Sequence, residues 1–239
     1  MISITHLSKS YGNIVAVNDI SFSIKKGEVF ALLGLNGAGK STTIGILCSL
    51  VKKTCGKVYI DGYDLDFDGD KIKEIVNLSP QETAIAGNLT VRQNLSLIAS
   101  LYGLSNADER VEKMITDFSL ENKADCRAKT LSGGQKRRLS IAMACITEPK
   151  VLILDEPTLG LDIVARKELW RIISSYKGKT TVILTTHYLE EAQELADRIA
   201  ILNNGYLSAV GTEKQIIKYA NTADFESAFI RLAGGCNEN

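Results

Sequence analysis

Short unbroken apolar runs alternate with stretches of helical spacing along this chain, and that alternation predicts its architecture. Val29-Phe30-Ala31-Leu32-Leu33, Val151-Leu152-Ile153-Leu154 and Val182-Ile183-Leu184 carry no polar interruption, as expected of strands buried on both faces. Residues 199–202 form another such run, and helical patterns separate these later runs from one another. A parallel sheet covered on both faces follows. Ahead of it, the amphipathic start Ile2-Ser3-Ile4-Thr5, then Val15-Ala16-Val17 and residues 22–24, read as early strands, and residues 57–62 as a strand and turn. Residues 40–50 read as a helix. From Thr90 to Thr147 the spacing is helical, with Thr90 and Ser105 as expected N-caps, which predicts an inserted helical subdomain at residues 87–148. Asn203-Asn204-Gly205 marks a hairpin, and residues 212–220 and 224–232 read as helices. The expected division is one α/β domain over residues 1–220 and a short C-terminal helix and tail over residues 221–239.

Composition narrows the function classes. The chain has 239 residues, 45% of them hydrophobic, enough for a well-buried core. Lys plus Arg equals Asp plus Glu at 28 each, so no net field draws the chain to nucleic acid or to an anionic membrane surface. The longest apolar runs fall far short of the roughly 20 residues that span a bilayer. Residues 1–30 lack a basic-then-apolar leader with a small-residue cleavage site, so the chain is expected to stay in the cytoplasm. The cysteines (Cys48, Cys55, Cys126, Cys145, Cys236) are scattered, with no C-x-x-C pair, and read as reduced packing residues.

Two anion-gripping elements carry the chemistry. Gly34-Leu35-Asn36-Gly37-Ala38-Gly39-Lys40-Ser41 fits G-x-x-x-x-G-K-[ST] between an apolar run and a helical one, and with Thr42 forms the candidate ATP-binding set. Its glycines turn backbone N–H groups toward phosphates, Lys40 reaches their oxygens, and Ser41 is placed for Mg²⁺. Asp155 ends an apolar strand at the edge where nucleotides bind in open α/β folds, and is expected to hold Mg²⁺. Glu156 beside it is the expected general base for water. The second element is Leu131-Ser132-Gly133-Gly134-Gln135, where Ser132 caps a helix whose first N–H groups are open to an anion. The basic run Lys136-Arg137-Arg138 is read evenly as phosphate-facing or as a solvated face.

With these motifs the chain resembles the ATP-binding subunits of ATP-binding-cassette (ABC) transporters, from Ile2 to about Leu232. The resemblance implies a P-loop NTPase core with a mostly parallel sheet, N-terminal antiparallel strands and an inserted α-helical subdomain. It implies ATP and Mg²⁺ as cofactors, and that each ATP lies between one subunit's phosphate loop and the other's 131–135 signature. It assigns Tyr11 to adenine stacking and Gln81 to Mg²⁺ and the attacking water. His187, one of only two histidines, is the switch that bonds the γ-phosphate, and Asp162 belongs to the loop crossing to the second subunit. Leu159 departs from the small residue usual in that loop, and Cys55 from the usual serine of a Ser-Gly turn.

The ending 224–232 and the basic run after the signature resemble the drug, antibiotic and polysaccharide exporter branch. The resemblance therefore implies a peripheral subunit on the cytoplasmic membrane face, paired as a homodimer or heterodimer. It works with a separate integral-membrane permease and without nucleic acid. An importer subunit and a soluble cassette ATPase of the cluster-assembly kind are the alternatives. A chromosome-type ATPase head would need long heptad arms between phosphate loop and signature, and residues 42–130 contain none.

Overall fold

A computed structural model describes residues 1–234; Cys236 and the rest of the expected tail lie outside the described residues. Strands β1 (Ile2–Tyr11), β2 (Ile14–Ile24), β4 (Cys55–Ile60) and β5 (Tyr63–Asp64) form an antiparallel sheet in the order β2-β1-β4-β5. Residues 15–17 and 22–24, expected as separate strands, are parts of β2. The chain stays extended between them through Asp19, whose φ is 52° beside a register shift against β1. Such a bulge bends a strand without ending it.

The second sheet has the order β10-β9-β3-β8-β7-β6, built from β3 (Val29–Leu33), β6 (Val76–Ser79), β7 (Val151–Asp155), β8 (Thr181–Thr186), β9 (Arg198–Asn203) and β10 (Tyr206–Gly211). Only β10 runs antiparallel to its neighbour, through the Asn204-Gly205 turn, where both residues take positive φ as a type I′ hairpin requires. Helix α1 (Lys40–Leu47) follows β3 and is shorter than the expected 40–50; α2 (Gly69–Ile75), unforeseen in the sequence, leads directly into β6. Between β6 and β7 the chain is helical: α3 (Val91–Leu101), α4 (Ala107–Asp117) and α5 (Gly133–Cys145). Then come α6 (Ile163–Ser174), α7 (Leu189–Leu195), α8 (Glu213–Ala220) and α9 (Phe225–Leu232).

Thr90 caps α3 in a reciprocal capping box with Gln93, as its sequence position suggests. Ser105 does not cap α4. Its N-cap is Asn106, in the left-handed region at φ 55° and without a side-chain cap bond. Asparagine tolerates that conformation better than serine, which moves the helix start by one residue.

The unbroken apolar strands place alternate residues in two separate cores. Val29, Ala31, Leu33, Leu152, Leu154, Val182 and Leu184 face the helical side, while Phe30, Leu32, Val151, Ile153 and Ile183 face α1 and the antiparallel sheet. Burying each such Leu, Ile or Val side chain contributes about 1.5–3 kcal/mol, so the sheet's register is strongly fixed. Rigid strand ends follow, and these position the site.

Candidate active site

Loops from neighbouring strands converge on one edge of the sheet because β3, β8, β7 and β6 are adjacent and parallel. β3 delivers residues 34–41, β8 delivers His187, β7 delivers Asp155 and Glu156, and β6 delivers Pro80 and Gln81.

In the phosphate loop Gly37 and Gly39 sit at φ 82° and 99°, which a side chain would strain. A Cβ on Gly39 would also lie 2.5 Å from the Ala16 carbonyl oxygen. Leu35, Asn36 and Gly37 are exposed, while Gly34 and Ala38 are buried. Lys40 is buried and its Nζ donates to the carbonyls of Gly34 (2.6 Å) and Leu35 (3.2 Å). The same ammonium lies 3.7 Å from Glu156 Oε1. Burial pulls the Lys40 pKa below its ordinary value, against the opposing charges of Glu156 and Asp155. Ser41, exposed, and Thr42, half-buried, follow in the first turn of α1.

Glu156 is the meeting point. Its Oε2 lies 2.9 Å from His187 Nδ1, a contact without the alignment of a hydrogen bond, while its N–H donates to Thr185 Oγ1 at 3.0 Å. Its backbone is left-handed, at φ 46°. The Thr185 hydroxyl donates to Asp155 Oδ1, so β8 orients both acids that end β7. The structure thus brings together Lys40, Asp155, Glu156 and His187.

The signature stands on a different element. Ser132 caps α5 in a capping box with Gln135, and Leu131 is buried in the helical-side core. Gly133 is exposed, and a Cβ there would meet nothing within 4 Å. Helix α5 packs on β6, β7, α3, α4 and α6, whereas α1 packs on β2 and β7. Both touch β7, but α1 buries Ile44, Ile46 and Leu47 toward the antiparallel sheet while α5 buries Leu139, Ile141 and Ala142 in the helical-side core, so the two helices lie on opposite faces of the sheet. Asp162 caps α6 by accepting from Ala165 N at 2.9 Å, beside the exposed Leu159. The exposed Tyr11 ring carries the Lys9 ammonium 4.6 Å from its centroid. Gln81 is exposed, in a shallow depression shared with Gly133, Lys136 and Leu159.

Neither reading of the basic run describes Arg137. It is buried, donating to the backbone carbonyls of Pro80, Gln81, Asp155 and Pro157. Its neighbour Arg138 pairs with Glu168 at 3.3 Å. The sequence holds a faint signal of this burial, since Arg137 stands at helical spacing on the buried stripe of Ile141 and Ala144.

A protein-family model described as ABC transporter matches residues 17–159. The chain is 44% identical over 217 residues to the phospholipid-transporting ATPase ABCA3 of Mus musculus, covering 88% of this chain and 13% of that protein. It is 38% identical over 219 residues to the linearmycin resistance ATP-binding protein LnrL of Bacillus subtilis (strain 168), covering 90% of this chain and 70% of that one. Its fold is similar to the dimeric ATP-binding cassette MJ0796 in a post-hydrolysis state bound to ADP and Pi, with a TM-score of 0.79 and 28% identity over 89% of this chain and 98% of that one.

Proposed function

The chain belongs to the ABC transporter family, and from that membership we propose that it is the cassette that binds and hydrolyses ATP to drive a transporter, in the direction of export. The observation that carries the catalytic part is the Glu156 carboxylate set between Lys40 (3.7 Å) and His187 (2.9 Å) at the ends of adjacent parallel strands. Phosphoryl transfer to water needs a cation on the γ-phosphate, a group that orients and deprotonates water, and a donor to the developing charge. Lys40, Glu156 and His187 supply these roles. Residues 34–42 hold the phosphates, and Tyr11 offers its ring to adenine, worth on the order of 1–3 kcal/mol for a stacked base.

The donor set fits Mg²⁺. Ser41, Asp155 and Gln81 are oxygen donors, and Mg²⁺ prefers few protein ligands alongside water and phosphate oxygens. Asp155 gives one carboxylate oxygen to the Thr185 hydroxyl, which fixes the orientation of the other. A Mg²⁺ held there would supply charge neutralisation to the phosphates.

The signature residues Leu131 to Gln135 grip the ATP of a second cassette, which places Asp162 at the crossing between subunits. Supporting this are the packing of α1 and α5 on opposite faces of the sheet and the likeness to a dimeric cassette bound to ADP and Pi. Among the described residues no helix is long and apolar enough to cross a membrane. On this reading transport runs through an integral-membrane permease, with the cassette peripheral on the cytoplasmic face and residues 87–148 forming its helical subdomain. Export is supported by the likeness to a linearmycin resistance protein.

Glu156→Gln tests the reading. It keeps the side chain's shape and removes the base, so ATP binding persists while hydrolysis falls by about 10²–10⁴-fold. With ATP the variant runs as a dimer by light scattering, and without it as a monomer. Wild-type turnover in Glu156→Gln, or a mass indifferent to ATP, rejects the reading.

A further inference from the structure

We propose that Arg137 is a positioning residue for hydrolysis, a clasp that holds the backbone on both sides of Glu156 and ties it to the Gln81 loop. The inference rests on the reading of Glu156 as the base. Arg137 Nε donates to Pro157 O at 2.9 Å and Nη2 to Asp155 O at 2.6 Å, and these carbonyls belong to the residues immediately flanking Glu156. Nη1 donates to Pro80 O and, at 3.2 Å, to Gln81 O. Among the described residues no carboxylate forms an ion pair with it, although its relative exposure is only 4%.

A buried guanidinium with no carboxylate in contact is costly, and the charges of Asp155 and Glu191 favour it only through space, so contact ion pairing does not account for its position. Geometry does. A planar fork can address several carbonyls at fixed angles, which a flexible ammonium cannot. The peptide it grips needs such support, because Glu156 is left-handed at φ 46° and a non-glycine residue there persists only when its surroundings over-determine it. Thr185 holds the Glu156 N–H from β8, at Oγ1 (3.0 Å) and at the carbonyl (3.2 Å), and Arg137 holds the flanking carbonyls from α5. The two grips together fix where the carboxylate points. Because the same guanidinium also carries Pro80 and Gln81, a shift of that loop is felt at Glu156 through one rigid group. The clasp arises one helical turn beyond Gly133, so the helix that presents the signature also sets the base.

The test is a double-mutant cycle on the purified chain, with steady-state ATP hydrolysis and equilibrium nucleotide binding as readouts. Arg137→Gln and Arg137→Lys are each made in wild type and in Glu156→Gln. In wild type both should lower kcat by about tenfold or more with the KM and Kd for ATP within about threefold, because the lesion is in the pose of the base and not in the phosphate grip. Arg137→Lys keeps the positive charge, so its loss of kcat separates fork geometry from charge. It also carries the cycle should Arg137→Gln not fold. In the Glu156→Gln background either change should alter the residual turnover by less than about twofold, since there is no base left to position. Wild-type kcat in Arg137→Lys overturns the proposal, as does an equal fold-loss in both backgrounds, which marks a general structural effect. If Glu156→Gln alone turns over normally, the base assignment fails first; if it is inactive while the Arg137 variants are not, only the clasp fails.

Discussion

His187 Nδ1 lies 2.9 Å from Glu156 Oε2, joining the ends of the neighbouring strands β8 and β7. Both side chains are largely screened from solvent, at 30% and 11% exposure, so their interaction is weakly damped by water. A contact this close makes the pair act as a unit. His187→Ala should leave ATP affinity nearly unchanged and lower kcat on the order of 10²-fold, the usual cost of one donor to developing charge. Adding Glu156→Gln should then reduce turnover little beyond the worse single variant. Independent, multiplying losses in steady-state assays would separate the two roles.

Gly37 and Gly39 should differ when each becomes alanine. Both have positive φ, which costs an alanine on the order of 1–3 kcal/mol, but a Cβ at Gly37 meets open space and one at Gly39 meets the Ala16 carbonyl oxygen at 2.5 Å. Backbone atoms yield poorly to such a clash. Thermal unfolding should therefore show Gly39→Ala losing clearly more stability than Gly37→Ala. Equal melting temperatures would mean that the antiparallel sheet gives way freely around Ala16.

The contrast between these glycines and Arg137 indicates what a sequence can show. Phosphate loop, acid pair and signature are contiguous, so each motif carries its own local geometry, and the hairpin is equally legible from Asn203-Asn204-Gly205. Strand order was not legible, because only the folded register puts β6 beside β7 and so brings Gln81 to the same edge as Lys40. The sequence reads Lys136-Arg137-Arg138 as phosphate-facing, because cations in a helix's first turns oppose its dipole, or as a solvated face. The acceptors of Arg137 are backbone carbonyls up to 57 positions away, to which side-chain patterning is blind. The same limit hid the left-handed Glu156. Thr185 and Arg137 impose that conformation from other elements, and no local propensity announces it.

Glu191 sets a pH dependence of stability. It is fully buried on α7, where desolvation raises its pKa above the ordinary 4.5, against the pull of Thr186, Thr158, Trp170 and the Arg166 charge. The folded state therefore holds a proton that the unfolded state releases. The stability this confers is complete below pH 4.5 and is lost as pH rises through the folded-state value. Glu191→Gln, neutral at every pH, should gain stability relative to wild type across that window and keep a constant advantage above it. Urea midpoints between about pH 4 and pH 8 measure this, and a difference independent of pH would mean that Glu191 ionises alike in both states.

Sharing of the active site between chains predicts complementation between two inactive variants. Lys40→Ala removes the phosphate cation and leaves its own signature intact. Gly133→Asp leaves the phosphate loop intact and sets a carboxylate against the γ-phosphate at the start of α5. That substitution is well placed as a probe, because a side chain at Gly133 meets no atom within 4 Å and should not disturb the fold. Each homodimer should be nearly inactive. In a mixed dimer one site combines both lesions, while the other combines an intact Lys40 from one chain with an intact Gly133 from its partner. Mixing should therefore restore part of the ATPase activity, at most about half the wild-type value per dimer if sites fire independently. Were each site built within one chain, every site in the mixture would still carry a lesion and no activity would return. Mixed-dimer formation, verified with two different tags, makes an absence of recovery decisive against independently working shared sites.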